Sequence, residues 1–159
     1  MPPEEIVTNS AEETMKFGRA LAVRLQAPIL VLLKGDLGAG KTTLTKGIIS
    51  GLGAAREEDV TSPTFNLVHV FKTQSSPPVK VYHVDLYRLE GTHDLESIAL
   101  DDVLSEPCIA IIEWSERLTL RFEWPIVRIE LEHSGHDARR IQITFAGHMS
   151  ASFASNRGS

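Results

Sequence analysis

Ile29-Leu30-Val31-Leu32-Leu33-Lys34-Gly35-Asp36-Leu37-Gly38-Ala39-Gly40-Lys41-Thr42 is the stretch on which the fold turns. Its opening run, Ile29 to Leu33, is apolar on both faces, the pattern of a strand in the middle of a covered parallel sheet. Gly35 to Thr42 then fits the spacing Gly, four residues, Gly-Lys-Ser/Thr, in which successive backbone N–H groups and a helix N-terminus converge on one polyphosphate. From Lys41 onward Leu44, Ile48, Ile49 and Leu52 recur at helical spacing, with Gly51 and Gly53 available for the helix exit. Each residue type has a physical job. Gly38 and Gly40 let the backbone approach phosphate oxygens, Lys41 adds a flexible cation for the β and γ phosphates, and the Thr42 hydroxyl is placed to ligate Mg²⁺. A plain glycine turn before a helix would share the spacing, but generally without this strand in front of it.

Outward from this core, Ser10-Ala11-Glu12-Glu13 matches a capping box, and Phe17, Ala20, Leu21 and Leu25 follow at helical spacing. Residues 10 to 26 are therefore expected to form an amphipathic helix that Pro28 helps to end. Asn66 to Phe71 and Val79 to Asp85 read as the strands of a hairpin whose loose tip is the polar, proline-bearing stretch between them. Cys108 to Ile112 is a second fully apolar run and another central strand. Val127, Ile129, Leu131 and then Ile141, Ile143, Phe145 alternate with polar residues around Ser134 to Asp137, which predicts an antiparallel hairpin. The fold expected is α/β, a P-loop NTPase-like three-layer sandwich whose mixed sheet has a parallel core and antiparallel hairpins. Residues 1–147 make a single domain, and the small, polar residues 148–159 a disordered tail.

Composition narrows the classes. The chain has 159 residues, enough for one ordinary domain, and its 42% hydrophobic and 23% charged content excludes a disordered, collagenous or coiled-coil protein. Sixteen Lys and Arg against 21 Asp and Glu leave a net charge of -5, which argues against a strongly basic protein that coats nucleic acid or a membrane surface. Cys108, the single cysteine, forms no intramolecular disulfide and completes no zinc site. The acidic start lacks the basic residues of a signal peptide, and no apolar run approaches the ~20 residues that span a bilayer. A cytoplasmic protein without membrane association is expected.

A phosphate loop needs a further magnesium anchor and a group that orients the attacking water, normally acids at the ends of neighbouring strands. Asp85 and Glu113 each end an apolar strand on the side where open α/β sheets bind ligands. Glu113, on the more apolar strand, is the first choice for the metal; a solvated strand-end acid is the bland alternative for each. Thr61-Ser62-Pro63-Thr64-Phe65 is either a turn or a switch that senses the γ-phosphate. His83 shares a strand face with Asp85 and could orient that carboxylate or simply pack as a hydrogen-bonded histidine. His133 and His136 bracket a turn and read as solvated, and Cys108 as core.

Four blocks then coincide in order and spacing with one family: Leu33 to Thr43, Ser62-Pro63-Thr64-Phe65, His83-Val84-Asp85-Leu86-Tyr87-Arg88-Leu89, and Ile112-Glu113-Trp114-Ser115-Glu116. Over roughly residues 8 to 146 the chain resembles the TsaE family, bacterial ATPases required for threonylcarbamoyl-adenosine formation in tRNA; the Asp-Leu-Tyr-Arg and Glu-Trp blocks carry the specificity, since phosphate loops alone are widely shared. The resemblance implies catalytic roles for Lys41, Asp85 and Glu113, and ATP bound by Gly38, Ala39, Gly40, Lys41, Thr42 and Thr43. It implies Mg²⁺ held by Thr42 and Glu113, Trp114 near the nucleotide, and Ser10 and Ala11 approaching the adenine side. Relatives often carry Arg just inside the late hairpin turn; here that position is His136, which is no permanent cation, with Arg139 and Arg140 close behind. TsaB- and TsaD-like proteins are the implied partners, with tRNA reached through their complex and the isolated chain a monomer or weakly self-associating.

Two other functions share the loop. A small-molecule kinase would need an Arg-bearing lid, whereas Arg88, Arg117 and Arg121 are scattered and no lid insertion is evident. A non-catalytic switch would bind ATP without turnover. Guanine specificity is disfavoured because no Asn-Lys-x-Asp stretch occurs. Lys41→Ala is expected to weaken ATP binding in isothermal titration and to abolish hydrolysis, because the cation offsetting phosphate charge is removed; unchanged affinity and turnover would reduce Gly35 to Thr42 to a turn.

Overall fold

The computed structural model describes residues 4–36, 40–61, 68–86, 104–113 and 123–146. Expectations for Gly38, Ala39, Trp114, the Ser62 to Phe65 block, Tyr87 to Leu89 and the tail lie outside the described residues. The described elements are β1 (Glu4–Thr8), α1 (Ala11–Ala22), β2 (Ile29–Gly35), α2 (Lys41–Gly51), a 3₁₀ turn (Glu57–Asp59), β3 (Val68–Lys72), β4 (Lys80–Asp85), β5 (Ile109–Glu113), β6 (Ile126–His133) and β7 (Arg139–Phe145). They build one seven-stranded sheet in the order β1-β7-β6-β2-β5-β4-β3. β6, β2, β5 and β4 run parallel to one another, while β7 with β6, β1 with β7 and β3 with β4 are antiparallel. The mixed α/β sheet is the one anticipated.

Strand alternation explains why the central runs are wholly apolar. Val31 and Leu33 of β2 pack with Ile111, Ile129, Leu44 and Ile48 on the face that α1 and α2 cover. Leu30 and Leu32 join Ala110, Ile112 and Val84 on the opposite face, together with Leu86 and Leu104. The third layer expected on that second face falls on residues outside the described ones. Full burial of each such side chain contributes about 1.5–3 kcal/mol, so both faces of β2 and β5 hold the sheet together.

Local chemistry sets the helix ends. The Ser10 side chain accepts from the Glu13 N–H at 3.1 Å, as in a capping box, while the Glu13 carboxylate accepts at 3.0 Å from the N–H of Asn9, one residue before the cap. α1 ends at Ala22 rather than at residue 26 because the chain tightens into three-residue hydrogen bonds, Arg24 N to Leu21 O at 2.9 Å and Leu25 N to Ala22 O at 3.1 Å. Leu25 still reaches the core. At the other helix, Gly53 takes φ 72° and donates to the Ser50 carbonyl at 3.0 Å, so it makes the exit, whereas Gly51 faces α1.

β1 was not anticipated. Glu4-Glu5-Ile6-Val7-Thr8 has one core-facing apolar residue, Ile6, which pairs with Ile141 of β7 and packs on the core. Such a strand has no sequence signature of its own; it forms because β7 offers an edge. Arg24 fastens it with two 3.0 Å bonds to the Glu4 carboxylate while its guanidinium lies 4.2 Å from the Phe145 ring centre. No described helix is long and apolar enough to cross a membrane.

α1 and α2 approach through glycine. A methyl group on Gly47 would stand 2.1 Å from the Met15 carbonyl oxygen, a backbone atom that has nowhere to go. Gly47→Ala is therefore expected to destabilise by about 1–3 kcal/mol or more, measured from urea unfolding midpoints. Gly53→Ala, with open space around it but a positive φ, should cost ~1–2 kcal/mol through backbone strain alone. A Gly47→Ala protein as stable as the wild type would contradict the packing.

Candidate nucleotide and metal site

β2 ends at Gly35 and α2 begins at Lys41, so the connecting loop opens at the carboxyl edge of the parallel strands. Gly40 adopts φ 99°, the left-handed region that glycine enters without a Cβ clash. No side chain caps α2, and its first N–H groups are the kind of orphan donors that bind anions at a helix start. The Lys41 side chain is nearly buried, and its ammonium donates to the carbonyls of Gly35 and Asp36, the latter at 2.9 Å. The cation is held across the mouth of its own loop.

Register brings the acids to this mouth. Leu33, Glu113 and Asp85 are paired side by side at the ends of β2, β5 and β4. Glu113 is only 2% exposed, and an ionised carboxylate tolerates such burial only with donors around it. It has two among the described residues. The Thr42 hydroxyl donates to Oε1 at 3.0 Å and lies 3.3 Å from Oε2, and the His83 Nε2–H donates to Oε2. Hydroxyl and carboxylate are the hard oxygen donors that Mg²⁺ takes, and their proximity lets them share one ion. Among the described residues no group of three or more His, Cys, Asp and Glu could hold a metal on its own. A pair of protein oxygens suits an ion that keeps waters or phosphate oxygens in its remaining positions, as Mg²⁺ does.

A cavity of ≈ 180 Å³ lies on the flank of the loop, lined by Ala11, Thr14, Gly40, Thr43, Asp137 and Arg139. Ala11 and Thr43, both singled out in the sequence, meet here. Ser10 holds its hydroxyl on the helix cap instead. The cation on this cavity is Arg139: its Nε stands 3.6 Å from where a Gly40 Cβ would lie. His136, at φ 27° in the turn, offers its carbonyl to Arg139 at 3.2 Å. The signal for Arg139 is an arginine opening the last strand, where the register sets it between Thr8 of β1 and His133 of β6.

His83 shares its face with Asp85, yet its ring reaches across to Glu113 on the neighbouring strand. Cys108 is buried in the core of the second face, and burial pushes its thiol up to about 11. His69, its ring edge-on to His83 at 6.3 Å between centroids, is held below the usual histidine range by burial first and by His83 second.

The family model described as "Threonylcarbamoyl adenosine biosynthesis protein TsaE" matches residues 8–141. Proteins named "tRNA threonylcarbamoyladenosine biosynthesis protein TsaE" are similar along most of the chain. That of Rickettsia bellii is 36% identical over 140 residues, covering 88% of this chain and 94% of the relative. That of Bacillus subtilis is 33% identical over 140 residues, covering 88% and 84%. The crystal structure of Bacillus subtilis YdiB superposes with a TM-score of 0.65 at 27% identity, covering 99% of this chain and 97% of that one.

Arg139→Ala is expected to weaken ATP affinity about 10- to 100-fold, as loss of a charge-assisted hydrogen bond does, and His136→Ala by no more than about twofold, the usual scale for a surface change. Titration calorimetry on the two variants checks this. The reverse order would return the role to His136.

Proposed function

This chain belongs to the TsaE family of tRNA threonylcarbamoyladenosine biosynthesis proteins, and we propose that its part in that modification is Mg²⁺-dependent ATP hydrolysis in support of a multi-protein complex. The observation that carries the proposal is the 3.0 Å contact between the Thr42 hydroxyl, at the start of the phosphate-loop helix, and the buried Glu113 carboxylate at the end of β5. A structural turn has no use for a hydroxyl and a carboxylate brought together from such distant parts of the sequence.

In this reading the amides from Gly40 onward cradle phosphate oxygens, and Lys41 exchanges its loop carbonyls for the β and γ phosphates. Thr42 and Glu113 would hold Mg²⁺, which supplies charge neutralisation of the polyphosphate when bound. Asp85, in register beside Glu113, orients the attacking water. Arg139 and Ala11 face the nucleoside side of the loop. Gly38, Ala39 and Trp114 belong to the same proposed site by resemblance.

The slow step is assigned to assembly. Arg139 is tethered to the carbonyls of His136 and Ala138 at 3.2 and 3.0 Å, on the nucleoside flank rather than at the γ-phosphate position. A missing transition-state cation costs enzymes with this loop about 10³ to 10⁵ in rate. TsaB- and TsaD-like proteins are the proposed partners whose docking completes the site, tRNA is reached through them, and the work takes place in the cytosol.

Reconstitution from purified components tests the proposal. Weak ATPase activity is expected from the protein alone, with a clear rise when both partners are added and repeated rounds of tRNA modification that need Lys41. Glu113→Gln should keep most of the nucleotide affinity while losing at least about 10²-fold in turnover, the scale for removal of one preorganised electrostatic partner. Full activity of Glu113→Gln at ordinary Mg²⁺ would move the metal role to Asp85. Modification that cycles equally well with Lys41→Ala would separate the loop from the pathway.

A further inference from the structure

His83 is fully buried, at 0% exposure, and the described residues give its ring one hydrogen bond, to Glu113. Among the described residues its Nδ1 has no partner. A carboxylate can only accept, so Nε2 carries a proton and points it at Glu113, while Nδ1 stays buried. An apolar side chain at this position would avoid the cost of burying an unpaired ring nitrogen. The polar function of the imidazole is therefore directed at Glu113.

What it does follows from the two carboxylate oxygens. Oε2 is taken up by the imidazole N–H, and Oε1 is the oxygen nearer the Thr42 hydroxyl, at 3.0 Å. With Oε2 anchored, the carboxylate cannot rotate, and Oε1 faces the start of α2. We infer that His83 is a positioning residue for the metal anchor: it fixes Glu113 so that one oxygen faces the ion held jointly with Thr42. Partners that hydrogen-bond a ligating group commonly tune metal affinity by about 10- to 100-fold. His83 belongs to the same motif as Asp85, but its effect is on the neighbouring strand's carboxylate. The inference rests on the reading of Thr42 and Glu113 as a metal site.

The test uses the full chain, ADP and Mn²⁺ followed by electron paramagnetic resonance. His83→Gln places an amide N–H where Nε2 stands, whereas His83→Asn places it where Nδ1 stands, out of reach of Glu113. Mn²⁺ affinity of the ADP complex is expected to fall about 10-fold or more in His83→Asn and to recover to within about threefold of wild type in His83→Gln. ADP affinity in EDTA should be the same in all three proteins. Wild-type Mn²⁺ affinity in His83→Asn, or an equal loss in both variants, would overturn the inference. Should His83→Asn fail to fold by circular dichroism, nitrogen NMR of the wild-type ring decides. A proton that stays on Nε2 in the Mg²⁺·ADP complex supports the role, and a proton on Nδ1 overturns it. Wild-type protein that binds ADP no more tightly with Mn²⁺ than in EDTA would overturn the metal reading itself, and that failure shows before any substitution is made.

Discussion

The parallel pairing of β2 with β5 constrains everything else. Both strands are buried on both faces, so neither register nor direction can slip without exposing a full row of Ile, Leu and Val. A shift of a single residue would exchange the faces of β5 and carry Glu113 to the side away from α2. The observed register sets Glu113 beside Leu33, just before the chain turns into the phosphate loop. The hydrophobic core and the site's chemistry are therefore fixed by the same ladder.

α2 must then stand where its first turn meets that ladder. The tight contact of Gly47 and Gly18 with the backbone of the opposite helix brings α1 and α2 closer than larger side chains permit. Leu44, Ile48 and Ile49 key α2 onto the sheet on its other side. Close packing of this kind has little compliance, so Thr42 is delivered to Glu113 by the core rather than by the loop.

Buried charge at the loop mouth is balanced locally. Lys41 and Glu113 are both nearly inaccessible to water, but the ammonium is satisfied by loop carbonyls and the carboxylate by a hydroxyl and an imidazole. Neither group depends on the other for its partners. Outside the loop, charges pair on the surface, as Arg24 does with Glu4 and Arg140 with Glu132, and add little stability.

Legible in the sequence alone were the strand Ile29–Gly35, the helix Lys41–Gly51, the second central strand ending at Glu113, the two hairpins and the family. All of these are local patterns: apolar runs, periodicity, capping and motif spacing lie within a few residues of one another. Tertiary structure alone decided which strand lies beside which. Period two put His83 and Asp85 on one face, but it could not say that the imidazole would reach Glu113, because that contact depends on register between segments far apart in the sequence. The same limit hid β1, which exists by pairing with β7, and hid the meeting of Arg139 with Ala11 at the flank of the loop. A side chain's face is written in its own strand; its partner is set by whatever strand the packing brings alongside.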